Sequence, residues 1–198
     1  KSLKNQMRQT LTAREFILIA LLVVSLAAFG IYTLSGNSSQ STISSNSTSQ
    51  SIQSKVSGNQ ALTESELKGA AALLATPIFW VGPIEGYNYV LDASIDGLII
   101  IRYIPEGTSL SDRSGAYTAV GTYRIADAFE TTQEQGSESS SSVGFINGDG
   151  AAVYYDRQSP LNVYMAYPGL DIQVEIFDPR ESVAINAAQT SGVVRLIK

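Results

Sequence analysis

The sequence predicts an α+β fold, a mainly antiparallel sheet with two or three short helices, carried outside a membrane by one N-terminal helix. Three observations lead to it. Residues 16–34 form a 19-residue run without a charged side chain. A serine-rich stretch follows over residues 35–61. From Leu62 onward, short β-branched and aromatic runs alternate with Gly, Pro and Asp-Gly punctuation, and a helical period surfaces in only a few places.

Residues 1–15 are a basic tail, with Lys1, Lys4, Arg8 and Arg14 against Glu15. The apolar run Phe16–Leu34 is interrupted only by Ser25, Gly30 and Thr33. At about 1.5 Å per residue it reaches roughly 28 Å as a helix, about one hydrocarbon core. The basic flank precedes the span, so the positive-inside rule puts the N-terminus in the cytoplasm and everything after Ser35 outside the cell membrane. The competing reading is a cleaved signal peptide with residues 16–26 as its h-region and small residues at Ser25 and Ala27, or Ala28 and Gly30, near the cut. Against it, the apolar run continues through Ile31, Tyr32 and Leu34. The string Leu11-Thr12-Ala13-Arg14-Glu15-Phe16 resembles the start of inner-membrane assembly proteins of type II secretion and type IV pili over six residues. The long coiled coil of those proteins does not follow, and an N-cap with interfacial charges accounts for the same residues.

Residues 35–60 hold 11 serines with Ile43, Ile52 and Val56 as isolated apolars. That composition buries too little to offset ordering entropy, so residues 35–61 read as a flexible tether. As a Gly/Ser-type coil it spans about 28 Å. The folded domain is expected over residues 62–198, stable without the span.

Thr63-Glu64-Ser65-Glu66 is a capping box that opens a helix over 64–75, with Leu67, Ala70, Ala71 and Leu74 on one face and Pro77 at the exit. Strands follow at Ile78–Val81, Tyr87–Leu91, Gly97–Ile104 and Tyr117–Ile125. Ala126–Gln135 reads as a helix and Gly136–Ser142 as a loop. Strands at Val143–Ile146, Ala151–Tyr155, Asn162–Tyr167 and Asp171–Phe177 come next. In the last, Ile172, Val174 and Ile176 alternate with Asp171, Gln173 and Glu175, the pattern of a half-buried strand with a solvated polar face. A helix over Glu181–Gln189 and a terminal strand over Val193–Ile197 complete the domain.

Several strings recur in order: Pro77 to Pro83 (PIFWVGP), Arg102-Tyr103-Ile104-Pro105, Val120-Gly121-Thr122-Tyr123, Val163 to Gly169 (VYMAYPG) and Glu175 to Pro179 (EIFDP). Through them residues 66–198 resemble an uncharacterised family of bacterial single-pass membrane proteins with a short N-terminal tail and a variable linker. The resemblance implies domain boundaries and topology. The family has no assigned activity, so no catalytic residue carries over.

Composition excludes whole classes of chemistry. The chain has no Cys and no His, which removes disulfides, thiol nucleophiles, His-based catalysis and every His- or Cys-ligated metal. Residues 62–198 carry a net charge of −9, the wrong sign for a nucleic-acid footprint. Asp92-Ala93-Ser94-Ile95-Asp96-Gly97 begins like a calcium loop, but its twelfth position is Tyr103, inside a strand, and a hairpin turn explains it better. Asn147-Gly148-Asp149-Gly150 reads as a second such turn. Ser65-Glu66-Leu67-Lys68 spells S-x-x-K without the partner strings of penicillin-recognising enzymes, and helix capping and solvation explain it. Asp171 and Glu175 on one strand would stand about 13 Å apart, too far for a glycosidase pair. No cofactor and no metal are called for.

Nine of ten tyrosines and the one tryptophan fall in residues 62–198. Sheet core plus a few surface rings accounts for most of them. Tyr154 and Tyr155 must point to opposite faces, and Trp80, Tyr154, Tyr155 and Tyr167 form the candidate interaction surface. The expected function is therefore a non-catalytic binding or assembly protein, anchored in lipid through residues 16–34 and joined to a protein partner in a cell-envelope complex. The alternative is a carboxylate-dependent cell-wall glycan hydrolase or a glycan-binding module.

Overall fold

The computed structural model describes residues 56–74 and 76–197. The basic tail, the apolar run and residues 35–55 of the serine tract lie outside the described residues. Among the described residues, ten strands and three helices follow in order: β1 (Ser57–Leu62), α1 (Glu64–Leu74), β2 (Phe79–Trp80), β3 (Tyr87–Ile95), β4 (Leu98–Pro105), β5 (Ala119–Arg124), α2 (Ala128–Gln135), β6 (Ser142–Ile146), β7 (Ala152–Asp156), β8 (Ser159–Ala166), β9 (Ile172–Phe177), α3 (Val183–Gln189) and β10 (Arg195–Leu196). The α+β class and the antiparallel sheet are as the sequence predicts.

One eight-stranded sheet runs β1-β3-β4-β5-β9-β8-β7-β6, and every pair is antiparallel. The chain thus builds two four-stranded meanders, each running from an edge to the centre, and joins them through β5 and β9. A small antiparallel ribbon of β2 and β10 stands apart from the sheet.

One difference from the sequence reading lies at the start of the domain. Composition assigns Ser57–Ala61 to the tether, whereas these residues form β1 and pair with β3, with a register shift between Ser57 and Ala61. An edge strand needs main-chain groups more than an apolar face, so polar composition conceals it. Helix α1 begins as read. Thr63 Oγ1 accepts from the Glu66 N–H (3.2 Å), and Glu66 Oε2 accepts from the Thr63 N–H (2.8 Å). Thr63→Ala is expected to cost about 1 kcal/mol, read as a small drop in the melting midpoint. An unchanged midpoint would show that the box contributes nothing beyond solvent exchange.

The turns answer to their residues. Ile95 pairs with Leu98 across Asp96-Gly97, where Gly97 has φ 76°, so the Asp92–Gly97 string is the end of a hairpin. Asn147 is buried and organises the turn after β6. Its Oδ1 accepts from the Asp149 and Ala151 N–H groups, and its Nδ2 donates to the Ala188 carbonyl on α3.

Both faces of the sheet centre are covered, and this decides the site. On one face, Tyr89, Leu91, Ile101, Tyr103, Val120, Val174, Ile176 and Met165 pack with Leu67 and Ala70 of α1, Ala184 and Ala188 of α3 and the β2–β10 ribbon. On the other, Leu98, Ile100, Tyr123 and Ala166 pack with Ala128 and Phe129 of α2. Helix α2 seats closely because a Cβ built on Gly136 would stand 2.6 Å from the Gly144 Cα of β6.

Candidate functional site

The α2-covered face carries the polar groups that the alternation in β9 assigns to solvent. Gln173 and Glu175 are buried instead, at 1% and 2% exposure. Asp171, at the start of the same strand, is exposed and accepts from the Asp127 N–H at 3.2 Å. The two acids therefore do not share an environment. The expectation fails because alternation reports which residues face one way, and a second layer can bury both sets.

Glu175 sits opposite Gly121 on β5 and Tyr164 on β8. Tyr123 donates its phenol to Oε2 at 2.5 Å, and Tyr164 donates to Oε1 at 3.2 Å. Tyr154 of β7 stacks on Tyr164 with centroids 4.8 Å apart and planes 15° apart. Gly121 makes the arrangement possible, since a Cβ there would stand 2.9 Å from Cε2 of the Tyr123 ring. Gln173, next along the face, donates to Thr132 of α2, which in turn donates to the Ala128 carbonyl.

No cation answers the charge. Glu175 makes no ion pair among the described residues. Burial pushes its carboxyl up from the ordinary carboxylate value to about 7, against the two phenol hydrogen bonds that favour the ionised form. Burial also raises the Tyr123, Tyr154 and Tyr164 phenols, with the Glu175 charge as the next cause, so all three are neutral at physiological pH. The other buried carboxylate, Asp178, is handled differently. Arg180 grips it through Nε and Nη2 at 2.9 and 2.8 Å, and Thr118 donates at 2.6 Å. Burial pushes Asp178 up, but these bonds hold it below its ordinary range.

The four residues expected on an interaction surface are placed as follows. Trp80 and Tyr154 are buried, at 3% and 7% exposure, and offer no such surface. Trp80 meets Tyr89 edge-on at 5.9 Å under the Arg195 guanidinium, and Tyr154 belongs to the Glu175 cluster. Tyr155 and Tyr167 are half-buried. Tyr167 stacks on Phe79 at 5.3 Å and donates to the Val194 carbonyl. The rings are core because this domain uses phenols as struts. Tyr103 donates to the Gly82 carbonyl and accepts from the Val81 N–H, and Tyr89 accepts from the Ile84 N–H, strapping the segment between β2 and β3.

The remaining candidates are also accounted for. Asp92 accepts from the Ser94 N–H and faces Arg113 at 3.6 Å. Lys68 pairs with Glu64 one helical turn away at 3.2 Å, and Ser65 is exposed on α1. A cleft of about 190 Å³ opens between the β3–β4 turn and Arg124, lined by Leu74, Thr76, Ile95, Asp96 and Gly97. Arg124 already donates there to the Thr76 hydroxyl. Among the described residues no group of three His, Cys, Asp or Glu side chains is placed to hold a metal.

Sequence reasoning missed Glu175 and the two close glycine contacts. A signal was available for the first. A helix directly after β5 needs a face to cover, and the strands flanking β9 place Tyr123 and Tyr164 on the parity of Glu175. Compared with protein families, with curated proteins and with solved structures, the chain matches none.

Proposed function

We propose that this chain is a single-pass membrane protein, akin to the bacterial family its outer half resembles, that presents residues 56–198 outside the cell membrane as a non-catalytic binding and assembly module. The observation that supports a non-catalytic role is how the domain uses its acids. Asp92, Asp112, Asp149, Asp156, Asp171 and Asp178 each accept a main-chain N–H. They close turns and dock loops, and Glu175 lies sealed beneath α2. The anchoring half of the proposal is carried by the 19-residue uncharged run behind a basic flank.

Protease added to intact cells stripped of any outer layer is expected to release the outer domain and leave residues 1–34 in the membrane. A soluble domain in the medium with an N-terminus near Ala28 or Ile31 would establish a cleaved signal peptide and overturn the anchor. A pull-down from mild detergent then tests assembly. An anchored chain that never brings down another polypeptide, itself included, would sink that part of the proposal.

A further inference from the structure

The two edges of the sheet are not alike. At β1 the strand is polar, its register shifts between Ser57 and Ala61, and the chain enters there from residues 1–55. Irregular register of this kind is a common guard against edge-to-edge pairing. At β6 the sequence is Ser142-Val143-Gly144-Phe145-Ile146, with no charge and no proline. All five residues pair with β7 in unbroken register. Ile146 is 50% exposed.

Hydrogen-bond parity tells which main-chain groups β6 leaves open. In an antiparallel pair, residues alternate between those bonded to the neighbour and those pointing away. The Arg157 N–H donates to the Ser141 carbonyl and the Asn147 N–H to the Ala151 carbonyl, both at 3.0 Å. Residues 143 and 145, on the same parity, therefore turn their N–H and C=O groups toward β7. Ser142, Gly144 and Ile146 turn theirs to the free edge. The Ser142 N–H is taken locally by Ser139. The outward groups of Gly144 and Ile146 and the Ser142 carbonyl have no partner among the described residues and remain for another strand.

We infer that β6 is the strand through which a second copy of this chain joins the sheet, by antiparallel pairing of the two β6 strands about Gly144. The sequence is self-complementary in that register. Gly144 meets Gly144 of the second copy, Ile146 meets Ser142, and roughly four main-chain hydrogen bonds close the pair. Val143 meets Phe145 twice on the opposite parity, an aromatic against a β-branched residue, which is a favourable cross-strand pair. With no charge in the strand, no like charges face each other across the two-fold axis. The entry of the chain at β1 adds a second reason. Seven strand spacings of about 4.8 Å put β6 roughly 34 Å from β1, the strand that residues 1–55 precede. The pairing rests on the membrane-anchored reading in one respect. A five-residue edge buries less than the ~800 Å² per partner of a stable soluble dimer, and confinement to one membrane raises the effective concentration that makes such a contact populate.

The full-length chain in its own membranes provides the test, and the absence of native cysteine makes each introduced thiol unique. Two differently tagged copies, one Val143→Cys and one Phe145→Cys, are co-expressed and exposed to a mild oxidant. In the inferred register these positions form a non-hydrogen-bonded pair with Cα atoms about 4.5 Å apart, within disulfide reach. The mixed disulfide is expected to form at least tenfold faster than a Gln60→Cys pair on β1. Adding Ile146→Lys, or Ile146→Pro to remove an outward N–H, is expected to cut it at least tenfold while each chain keeps its melting profile. A rate no higher than at Gln60, or one that persists in both Ile146 variants, overturns the pairing. Labelling of the Gln60→Cys chain, exposed on β1 and outside the inferred contact, by a membrane-impermeant maleimide on stripped intact cells reads the topology separately. Labelling without the disulfide defeats the pairing alone, and absence of labelling defeats the outward-facing topology whatever the disulfide shows.

Discussion

Raising the pH from about 5 to 8 is expected to lower the melting midpoint of residues 56–198 by about 10 °C, and Glu175→Gln is expected to remove most of that dependence. The Glu175 carboxyl titrates near 7 in the folded protein because burial disfavours its charge. In the unfolded chain it titrates near the ordinary carboxylate value of about 4.3. Between those values the folded state holds a proton that the unfolded state has released, so stability falls as pH rises. The contribution is complete below about pH 4.3 and lost by the time the pH passes the folded value. At roughly 1.4 kcal/mol per pH unit the whole effect is on the order of 3 kcal/mol. Asp178 works in the opposite sense, since its folded carboxyl is held below its ordinary range, and the stability it brings is lost as pH falls. Together they place the optimum on the acidic side, near about pH 5. Tyr123→Phe removes one of the two donors to the ionised form, so it should destabilise more at pH 8 than at pH 5. A wild-type profile that is flat across this window, or an equal slope in Glu175→Gln, would refute the assignment.

The second large effect is at the seat of α2. A Cβ on Gly136 would lie 2.6 Å from the Gly144 Cα, and one on Gly144 would lie 2.7 Å from the Gly136 Cα. Both neighbours are backbone, so neither can rotate away. Gly136 has φ −61°, a conformation open to any residue, and propensity alone would make Gly136→Ala stabilising by up to about 1 kcal/mol. The contact predicts the reverse sign. We expect Gly136→Ala and Gly144→Ala each to cost about 1–3 kcal/mol, the range for overpacking, because the helix must lift and open the layer over Glu175. Chemical denaturation of residues 56–198 reads this directly, and a stabilised Gly136→Ala would show that α2 is not clamped to β6.

These two effects mark the boundary of what could be read from sequence. Elements that depend on local chemistry were legible. The Thr63–Glu66 box, the hairpin at Asp96-Gly97 and the turn at Asn147–Gly150 arise from residues close in the chain, whose side chains bond neighbouring main chain or whose backbone accepts a positive φ. The runs that became β3, β4, β5, β7, β8 and β9 were legible as short β-branched or aromatic stretches bounded by Gly, Pro or Asp, with period-two alternation plain in β9. Strand β1 was not, because an edge strand is held by main-chain bonds to which its polar side chains contribute nothing.

The sequence by itself determined the class of fold, the chemistry excluded by the absence of His and Cys, and the expectation of an anchored domain that rests on the uncharged run at 16–34. Only the tertiary structure decided the fate of Glu175 and of the aromatic residues. Alternation in β9 separates Gln173 and Glu175 from Ile172, Val174 and Ile176, but it cannot say whether the polar set meets water. That depends on α2 crossing the same face, on Gly136 of the helix and Gly144 of β6 permitting its approach, and on Tyr123 and Tyr164 arriving from neighbouring strands. Trp80 and Tyr154 were drawn inward by the same rule. Burial is set by what packs opposite a residue, and the partners of these rings lie on strands whose order no local pattern encodes.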